Sequence, residues 1–557
     1  MDKIRIIMLG GQDESFKMMT AVEINNDIFV IEAGFKYPDK TKPGIDYIIP
    51  RYDYLVENKD KVRGYFITHG YDSVMGALPY IYGKVPAPIY CTRATADALK
   101  GFCMHNKLNF ESLPINKVKV DDEVVIANRL IRFFGVTSNF AESIGICISS
   151  DQGNIVYMSN AIAHNDFEPG FTPSKQKIAR ITSEKVLVLM TDATNADKPG
   201  YCSPNYKLLH ELKTDIFEQQ GRIFLAIERP NLYNIIDCLN TAISRGRRII
   251  PYDANSVEII NALKDEGYLH LQKDSIASID EVNRIRAQEV LVFMTGYGKK
   301  FLDKIALLAT KNNDEKIVFL TKNDTFVYGG YILPEIETAA TETIDELYRS
   351  DCTVLRPSPK TYLRMRGCEE DLKYFIATFR PKYLIPLSAS FVKLLALAKI
   401  ALNMNVGLNH NNVFVLDNGD AVEFEAGIGR VSSNKVPSGD VFIDGKGIGD
   451  IGSLVLEERQ RFADEGVIVL GITISKSKSE IVAGPDVQAR GLVFLKDNEA
   501  LIREITRLFV LTVQSELAKE NYSIAYMENA IKDIVFKAVR RAINKTPTII
   551  PVIAEIN

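Results

Sequence analysis

The sequence predicts an α/β protein in which a β-rich unit is interrupted by a stretch of strand–helix alternation. Three observations carry this expectation. Short apolar, β-branched runs joined by tight turns fill the first third of the chain. Between residues 222 and 357 strands and helices alternate, the pattern of a parallel sheet covered by helices. The β pattern then returns near 383–427. Length agrees, since 557 residues at about 100–200 per domain make roughly three domains. Hydrophobic residues at 46% and charged residues at 25% supply enough apolar surface for packed cores. That balance excludes disorder, collagen and coiled coil as the dominant state.

The elements follow in order. IRIIML (4–9), TAVEIN (20–25) and IFVIEAG (28–34) read as strands, the last two joined at Asn26-Asp27 as a hairpin. YFITHG (65–70) is an apolar run that empties into a polar loop, and LIRFFGV, IGICISS and NIVYMSN carry the β pattern to residue 160. KVLVLMTDA (185–193) is a strand that reaches Asp192. The alternation then runs through strand 222–228, helix 231–244, strand 247–253 and helix 256–266. It continues with strand 290–296, helix 299–309, strand 316–322, helix 335–349 and strand 352–357. A helix near 369–379 precedes the strand-like YLIPLS (383–388), and 413–427 reads as a hairpin turning at Asn418-Gly419. Residues 433–452, rich in Gly and polar side chains, suit a linker. Beyond it, strands near 467–474 and 491–496 and helices near 498–519 and 523–543 make a small α/β domain.

Charge and composition narrow the chemistry. A net charge of −4 rules out a polycation, so any nucleic acid must sit on a local basic patch. The densest basic clusters are Arg245-Gly246-Arg247-Arg248 and Arg540-Arg541 with Lys545; such runs are more often solvated faces. Seven scattered cysteines, with no C-x-x-C pair, fit a reduced cytoplasmic protein and argue against a disulfide scaffold or a cysteine zinc site. The start MDKIRIIMLGGQDES lacks a signal-peptide core, and no run of about 18 apolar residues suggests a membrane span. Gly447-Ile448-Gly449-Asp450-Ile451-Gly452 satisfies G-x-G-x-x-G, but the next strand ends in Ser475-Lys476-Ser477-Lys478 rather than an acidic residue, so a glycine-rich turn is the better reading. Gly298-Lys299-Lys300 lacks the earlier glycine and the Ser/Thr of a phosphate loop. The loop after the 65–70 strand, Thr68 to Gly76 with His69, sits where chemistry is usually placed. Other polar residues of the β-rich part are Glu32, Asp46, Ser138, Glu142, Asn160 and Asp192. From residue types alone this is a multidomain protein with no complete catalytic constellation.

Longer strings add a resemblance. LGG (9–11), IEAGFKYPD (31–39), GIDYIIP (44–50), YLVENKDKVRGYFITHG (54–70), GNIVYMSN (153–160) and TDATNADKPG (191–200) resemble the ribonuclease J family. So do PKYLIPL (381–387), VFVLDNGD (413–420), PSGDVFIDGKGIGDIG (437–452), AGPDVQARGLVF (483–494) and TPTIIPVIAEI (546–556). The resemblance implies a metallo-β-lactamase αββα sandwich in two parts, 1–195 and 353–432, an inserted β-CASP domain at 196–352, a linker at 433–452 and a C-terminal domain at 453–557.

The family's zinc loop, His-x-His-x-Asp-His, reads here as His69, Tyr71, Ser73 and Val74. The family's further ligands fall on Ser138, Asn160 and Ser388, so His69 alone keeps a ligand type. The aspartate of the early Ile-Asp-Ala-Gly motif is Glu32, while Asp192 is retained. The family segment that holds RNA phosphates falls on Thr361, Tyr362, Leu363, Arg364 and Met365, and Asn231 is a further substrate-side position by resemblance. Zinc requires three or four N, S or O donors at close to fixed distances. The expectation is therefore no bound zinc, where the family uses two ions, and no intact catalytic centre. Only the remnants His69, Asp72, Glu142 and Asp192 are left, at most a site for one hard cation such as Mg²⁺ or Mn²⁺. The resemblance to a second, metal-degenerate paralogue implies a cytoplasmic subunit of RNA decay and rRNA maturation. It would assemble with an active ribonuclease J, with itself, or both. The alternatives are a weakly active 5′-to-3′ exoribonuclease or endoribonuclease and a stand-alone RNA-binding module.

Overall fold

The structure, a computed structural model, describes residues 1–39, 41–164, 170–310, 318–331, 336–445, 447–449, 452–492, 499–519 and 521–557. It divides into two compact units, Met1–Tyr37 with Tyr47–Val441 and Pro38–Asp46 with Phe442–Asn557.

The first unit is built on two large sheets. One has eight strands in the order Ile428–Val431, Ala421–Glu425, Ile4–Gly10, Met19–Ile24, Asp27–Ile31, Val62–Phe66, Ile89–Cys91 and Ile115–Lys117. The other has six, in the order Tyr383–Leu387, Val186–Asp192, Asn154–Met158, Ile144–Ile148, Arg129–Gly135 and Glu123–Ile126. Period-2 alternation decides which side chains meet. Phe133 and Ile146 point inward and join Ile6, Met8, Phe29 and Phe66 of the first sheet in one core. Their neighbours Phe134 and Cys147 point outward, onto the helices Lys175–Ser183, Glu369–Phe379 and Phe391–Asn403. Helix Arg93–His105 lies against the strand Ile115–Lys117 of the first sheet. This is the αββα sandwich the resemblance implies.

Between two neighbouring strands of the sandwich the chain leaves and comes back. Val186–Asp192 pairs in parallel with Tyr383–Leu387, Asp192 opposite Leu387. The intervening residues form a separate five-stranded parallel sheet, ordered Arg248–Pro251, Val290–Gly296, Ile223–Glu228, Thr325–Tyr328 and Thr353–Leu355. Its strands alternate with the helices Leu232–Ser244, Ala254–Asp265, Gly298–Ala309 and Glu337–Arg349.

Two expectations in this unit are corrected. The strand expected at 316–322 falls partly outside the described residues, and 318–322 is not a strand; the ladder is formed by Thr325–Tyr328. Val318 and Leu320 are buried in the inserted domain's core, so their apolar pattern reports burial without ladder pairing. Asp324, which accepts from the Thr321 amide at 2.8 Å, turns the chain between them and the true strand. The hairpin expected at Asn418-Gly419 turns instead at Ala426-Gly427, both with positive φ, between Ala421–Glu425 and Ile428–Val431. Gly419 does occupy a left-handed turn, but its amide donates to Met8 O at 2.6 Å, which delivers the next strand to Ile4–Gly10.

Part of the expected linker is regular: Asp440–Asp444 and Gly447–Ile448 pair antiparallel, with Ile443 opposite Ile448. The G-x-G-x-x-G stretch lies partly outside the described residues. After helix Ser453–Glu465 comes a three-stranded sheet, ordered Glu480–Arg490, Val467–Ser475 and Thr548–Ile556. Helices Glu499–Leu517 and Ile524–Ile543 cover one face, where Phe509, Val513, Met527 and Ile531 meet Ile468, Leu470 and Ile472. The strand expected at 491–496 lies mostly outside the described residues, and the described strand there is Glu480–Arg490. No helix among the described residues is long and apolar enough to cross a membrane.

Candidate functional site

The topology gathers the expected positions at one rim of the sandwich. The parallel strands Asn154–Met158, Val186–Asp192 and Tyr383–Leu387 end in the same direction, which brings Asn160, Asp192 and Ser388 to that rim. The loop after Val62–Phe66 adds His69 and Tyr71, and the short helix Asp72–Met75 adds Asp72, Ser73 and Val74. Backbone bonds tie these pieces together. Ser388 N donates to Gly11 O, Met18 N to Ser73 O and Ile144 N to Thr68 O, all at 3.0 Å.

The side chains at these positions are turned toward each other. Asn160 Nδ2 donates to Ser138 Oγ at 2.9 Å and to Asn139 Oδ1 at 3.1 Å. Ser138 Oγ also contacts Ser143 Oγ at 3.0 Å and accepts from the Phe140 amide at 3.1 Å. Ser388 Oγ lies 3.1 Å from Met18 Sδ, and Val74 is wholly buried. His69 is wholly buried as well. Its Nδ1 contacts Thr68 Oγ1 at 2.8 Å, its ring meets Tyr71 edge-on at 4.7 Å, and its Nε2 has no protein partner. Burial, and then the positive charge of Arg366, hold His69 well below the ordinary imidazole range, so it is neutral. Burial pushes the Tyr71 phenol up to about 12 and the Asp72 carboxyl up to about 6, the latter against a 2.9 Å hydrogen bond from Tyr37.

One charge pair dominates this rim. Arg366 Nη1 is bound to Asp192 Oδ2, and Asp192 Oδ1 accepts from the Thr194 amide at 2.7 Å. Sequence reasoning singled out Asp192 but missed Arg366. The string Met365-Arg366-Gly367-Cys368 carries no periodicity or motif that announces a buried arginine.

This donor set does not fit zinc. Val74 has no donor, the Asn160 amide and Ser138 hydroxyl are engaged with each other, and Tyr71 stays protonated. Among the described residues no group of three or more His, Cys, Asp or Glu side chains is arranged to hold a metal ion.

Other expected positions lie elsewhere. Glu142 accepts from the Ala94 amide at 3.1 Å, in the first turn of helix Arg93–His105. Asp46 belongs to the second unit, where its carboxylate takes the Gly445 amide at 2.8 Å. Thr361 is exposed and donates to Glu211 at 3.0 Å, while Met365 is wholly buried. Asn231 donates to Tyr362 Oη at 3.3 Å in the interior of the inserted domain. Tyr362, Leu363 and Arg364 do line an open cavity of about 170 Å³, together with Tyr331, Arg356 and Asn195. The Tyr331 and Tyr362 rings stack there with centroids 4.6 Å apart. Arg364 lies over the Phe16 ring, and among the described residues neither it nor Arg356 has a carboxylate partner.

Comparison with known proteins agrees with the architecture. The family model for the ribonuclease J β-CASP domain matches residues 220–347, and that for the ribonuclease J C-terminal domain matches 454–556. "Ribonuclease J 2" of Staphylococcus aureus is 30% identical over 553 residues, covering 99% of this chain and 98% of that protein. "Ribonuclease J 2" of Staphylococcus epidermidis is 28% identical over 557 residues, with the same coverage. A crystal structure of a protein of unknown function from Enterococcus faecalis shares the fold, with a TM-score of 0.52 and 11% identity, covering 76% of this chain and 100% of that one. With full-length identity at that level and both domain models in register with the described sheets, the chain belongs to the ribonuclease J family.

Proposed function

We propose that the chain is a catalytically deficient ribonuclease J subunit, acting in RNA decay and rRNA maturation by supporting an active paralogue and guiding RNA. The observation that carries this reading is the poverty of metal donors at the rim. Asn160 spends its amide on Ser138 and Asn139, Val74 offers no donor, and the His69 Nε2 and Ser73 Oγ that remain are buried without a carboxylate beside them. Without a metal, water keeps a pKa of about 15.7 and supplies no hydroxide near neutral pH. His69 is the remaining imidazole at the rim, and it is buried, neutral and without a carboxylate to orient it.

RNA contact is supported by a different feature. The cavity beside the rim offers two guanidinium groups, Arg356 and Arg364, suited to phosphate oxygens, next to a stacked tyrosine pair suited to base or sugar faces. That observation also sustains a second reading, a stand-alone RNA-binding module.

A ribonuclease assay on 5′-monophosphorylated RNA, with the chain alone and mixed with an active ribonuclease J, tests the proposal. The chain alone should leave RNA intact, and the mixture should co-purify and process RNA differently from the active enzyme by itself. Hydrolysis by the chain alone that His69→Ala abolishes would establish the weakly active nuclease instead. RNA binding with indifference to the paralogue would establish the stand-alone module.

A further inference from the structure

Arg366 and Asp192 form the most deeply buried ion pair among the described residues, with side chains only 3% and 4% exposed. An unpaired charge in such a place is strongly destabilising, and a buried pair survives only when its remaining polar atoms are satisfied. Here the second oxygen of Asp192 is satisfied and the backbone that carries Arg366 is fixed in place. Asp192 Oδ1 is held by the Thr194 amide at 2.7 Å. The backbone of Arg366 is pinned on both sides: its carbonyl accepts from Asn195 Nδ2 at 3.0 Å, and its amide donates to Arg364 O at 2.7 Å. The pair also closes a long loop. Asp192 ends a strand of the sandwich, and Arg366 lies on the chain's return from the inserted domain, 174 residues later.

The guanidinium sits among the positions where the family resemblance places metal ligands. Its charge acts on His69 and Tyr71, and it also reaches Glu32 and Tyr157, whose own burial outweighs it. We propose that Arg366 is the resident cation of this cleft. It neutralises Asp192, ties the inserted domain's return to the sandwich, and bars divalent metals by charge as well as by the loss of donors. The inference rests on the reading of the cleft as metal-free. It adds that the cleft was filled with a fixed positive charge rather than merely emptied.

The test uses the full-length chain with Arg366→Met, Asp192→Asn and the double variant, measuring Tm and titrating each with ZnCl₂ and MnCl₂. Each single variant should lose Tm, and the double variant should lose less than the sum of the two. Wild type should show no Tm response to either metal. Arg366→Met should bind at least one of them about tenfold or more tighter than wild type, since a unit charge at close range has been removed. Additive losses in Tm would overturn the pairing, and unchanged metal affinity in Arg366→Met would overturn the exclusion. If Arg366→Met fails to fold, Asp192→Asn against the double variant still decides. Removing the stranded guanidinium must then raise Tm, and a further fall overturns the proposal. Stoichiometric zinc in wild type, with Asp192 as a ligand, would defeat the metal-free reading itself. A failed coupling cycle in a zinc-free protein would defeat only the role given to Arg366.

Discussion

Glu32 is wholly buried just after the strand Asp27–Ile31, with φ of +64°, and it takes both the amide and the hydroxyl of Thr68. Burial outweighs those bonds and pushes its carboxyl up to about 8. A glutamate in the unfolded chain titrates near 4.5, so the folded state holds the extra proton between these values. The stability this contributes is fully present below about pH 4.5, shrinks as pH rises, and is gone above about 8. One pH unit of separation is worth about 1.4 kcal/mol. Glu32→Gln, neutral at every pH and similar in shape, should flatten this dependence. Chemical denaturation at a series of pH values should show the wild type losing ground to the variant as pH rises toward about 8. Tyr71→His tests the rim differently. It restores one ligand type while Ser138, Asn160, Val74 and Ser388 remain, so zinc content by mass spectrometry should stay well under one ion per chain, and RNA should stay intact. The positions expected to hold ligands were singled out in the sequence by the family-like strings around them, and the structure brings Asn160, Asp192 and Ser388 to one rim. Arg366 was not singled out, because burying a charge depends on a partner far away in the chain.

At the level of elements, period and turn chemistry located most strands of the two sandwich sheets and the helices of the inserted domain, but not the short strands Ile89–Cys91, Ile115–Lys117 and Glu123–Ile126. The misses have separate causes. Val318 and Leu320 alternate like a strand because they are buried, yet pairing belongs to Thr325–Tyr328. The strand Thr548–Ile556, absent from the expected elements, has Pro551 interrupting its apolar run. The proline is tolerated because this strand forms the edge of its sheet, where one side needs no ladder bonds. Asp440–Asp444 and Gly447–Ile448 hid in a Gly-rich stretch, where composition suggested a linker. Packing in the last domain is open to a direct check. Phe509 of helix Glu499–Leu517 is wholly buried against the sheet. Phe509→Ala should cost about 3–5 kcal/mol. Urea denaturation with hydrogen exchange should show Val467–Ser475 losing protection, while Val186–Asp192 keeps it.

For the molecule as a whole, the fold class and family were legible because the whole-chain strings carried them, whereas assembly is a property of surfaces that no single sequence displays. The cores separate cleanly by sequence. Among the described residues, the hydrophobic clusters of the sandwich end at Phe424, and the last core begins at Ile468. A chain ending before residue 453 therefore keeps every buried side chain of the sandwich and inserted domain, and should fold. What it loses includes a sheet with one face covered by the helices Glu499–Leu517 and Ile524–Ile543. On the opposite face Val469, Ile550 and Val552 are 37%, 39% and 51% exposed, and pairing places Val469 beside Ile550. An obligate interface buries about 2,000 Å² or more and is richer in apolar area than ordinary surface. If the chain works by assembling, with itself or with an active paralogue, deleting 453–557 should weaken that association while circular dichroism and Tm report a folded remainder. Size-exclusion chromatography with light scattering, on the truncated chain alone and mixed with the paralogue, reads the outcome. Unchanged assembly would move the interface to the sandwich and inserted domain. A full-length chain that stays monomeric and ignores the paralogue would leave RNA contact at the Arg356–Arg364 cavity as its remaining route to function.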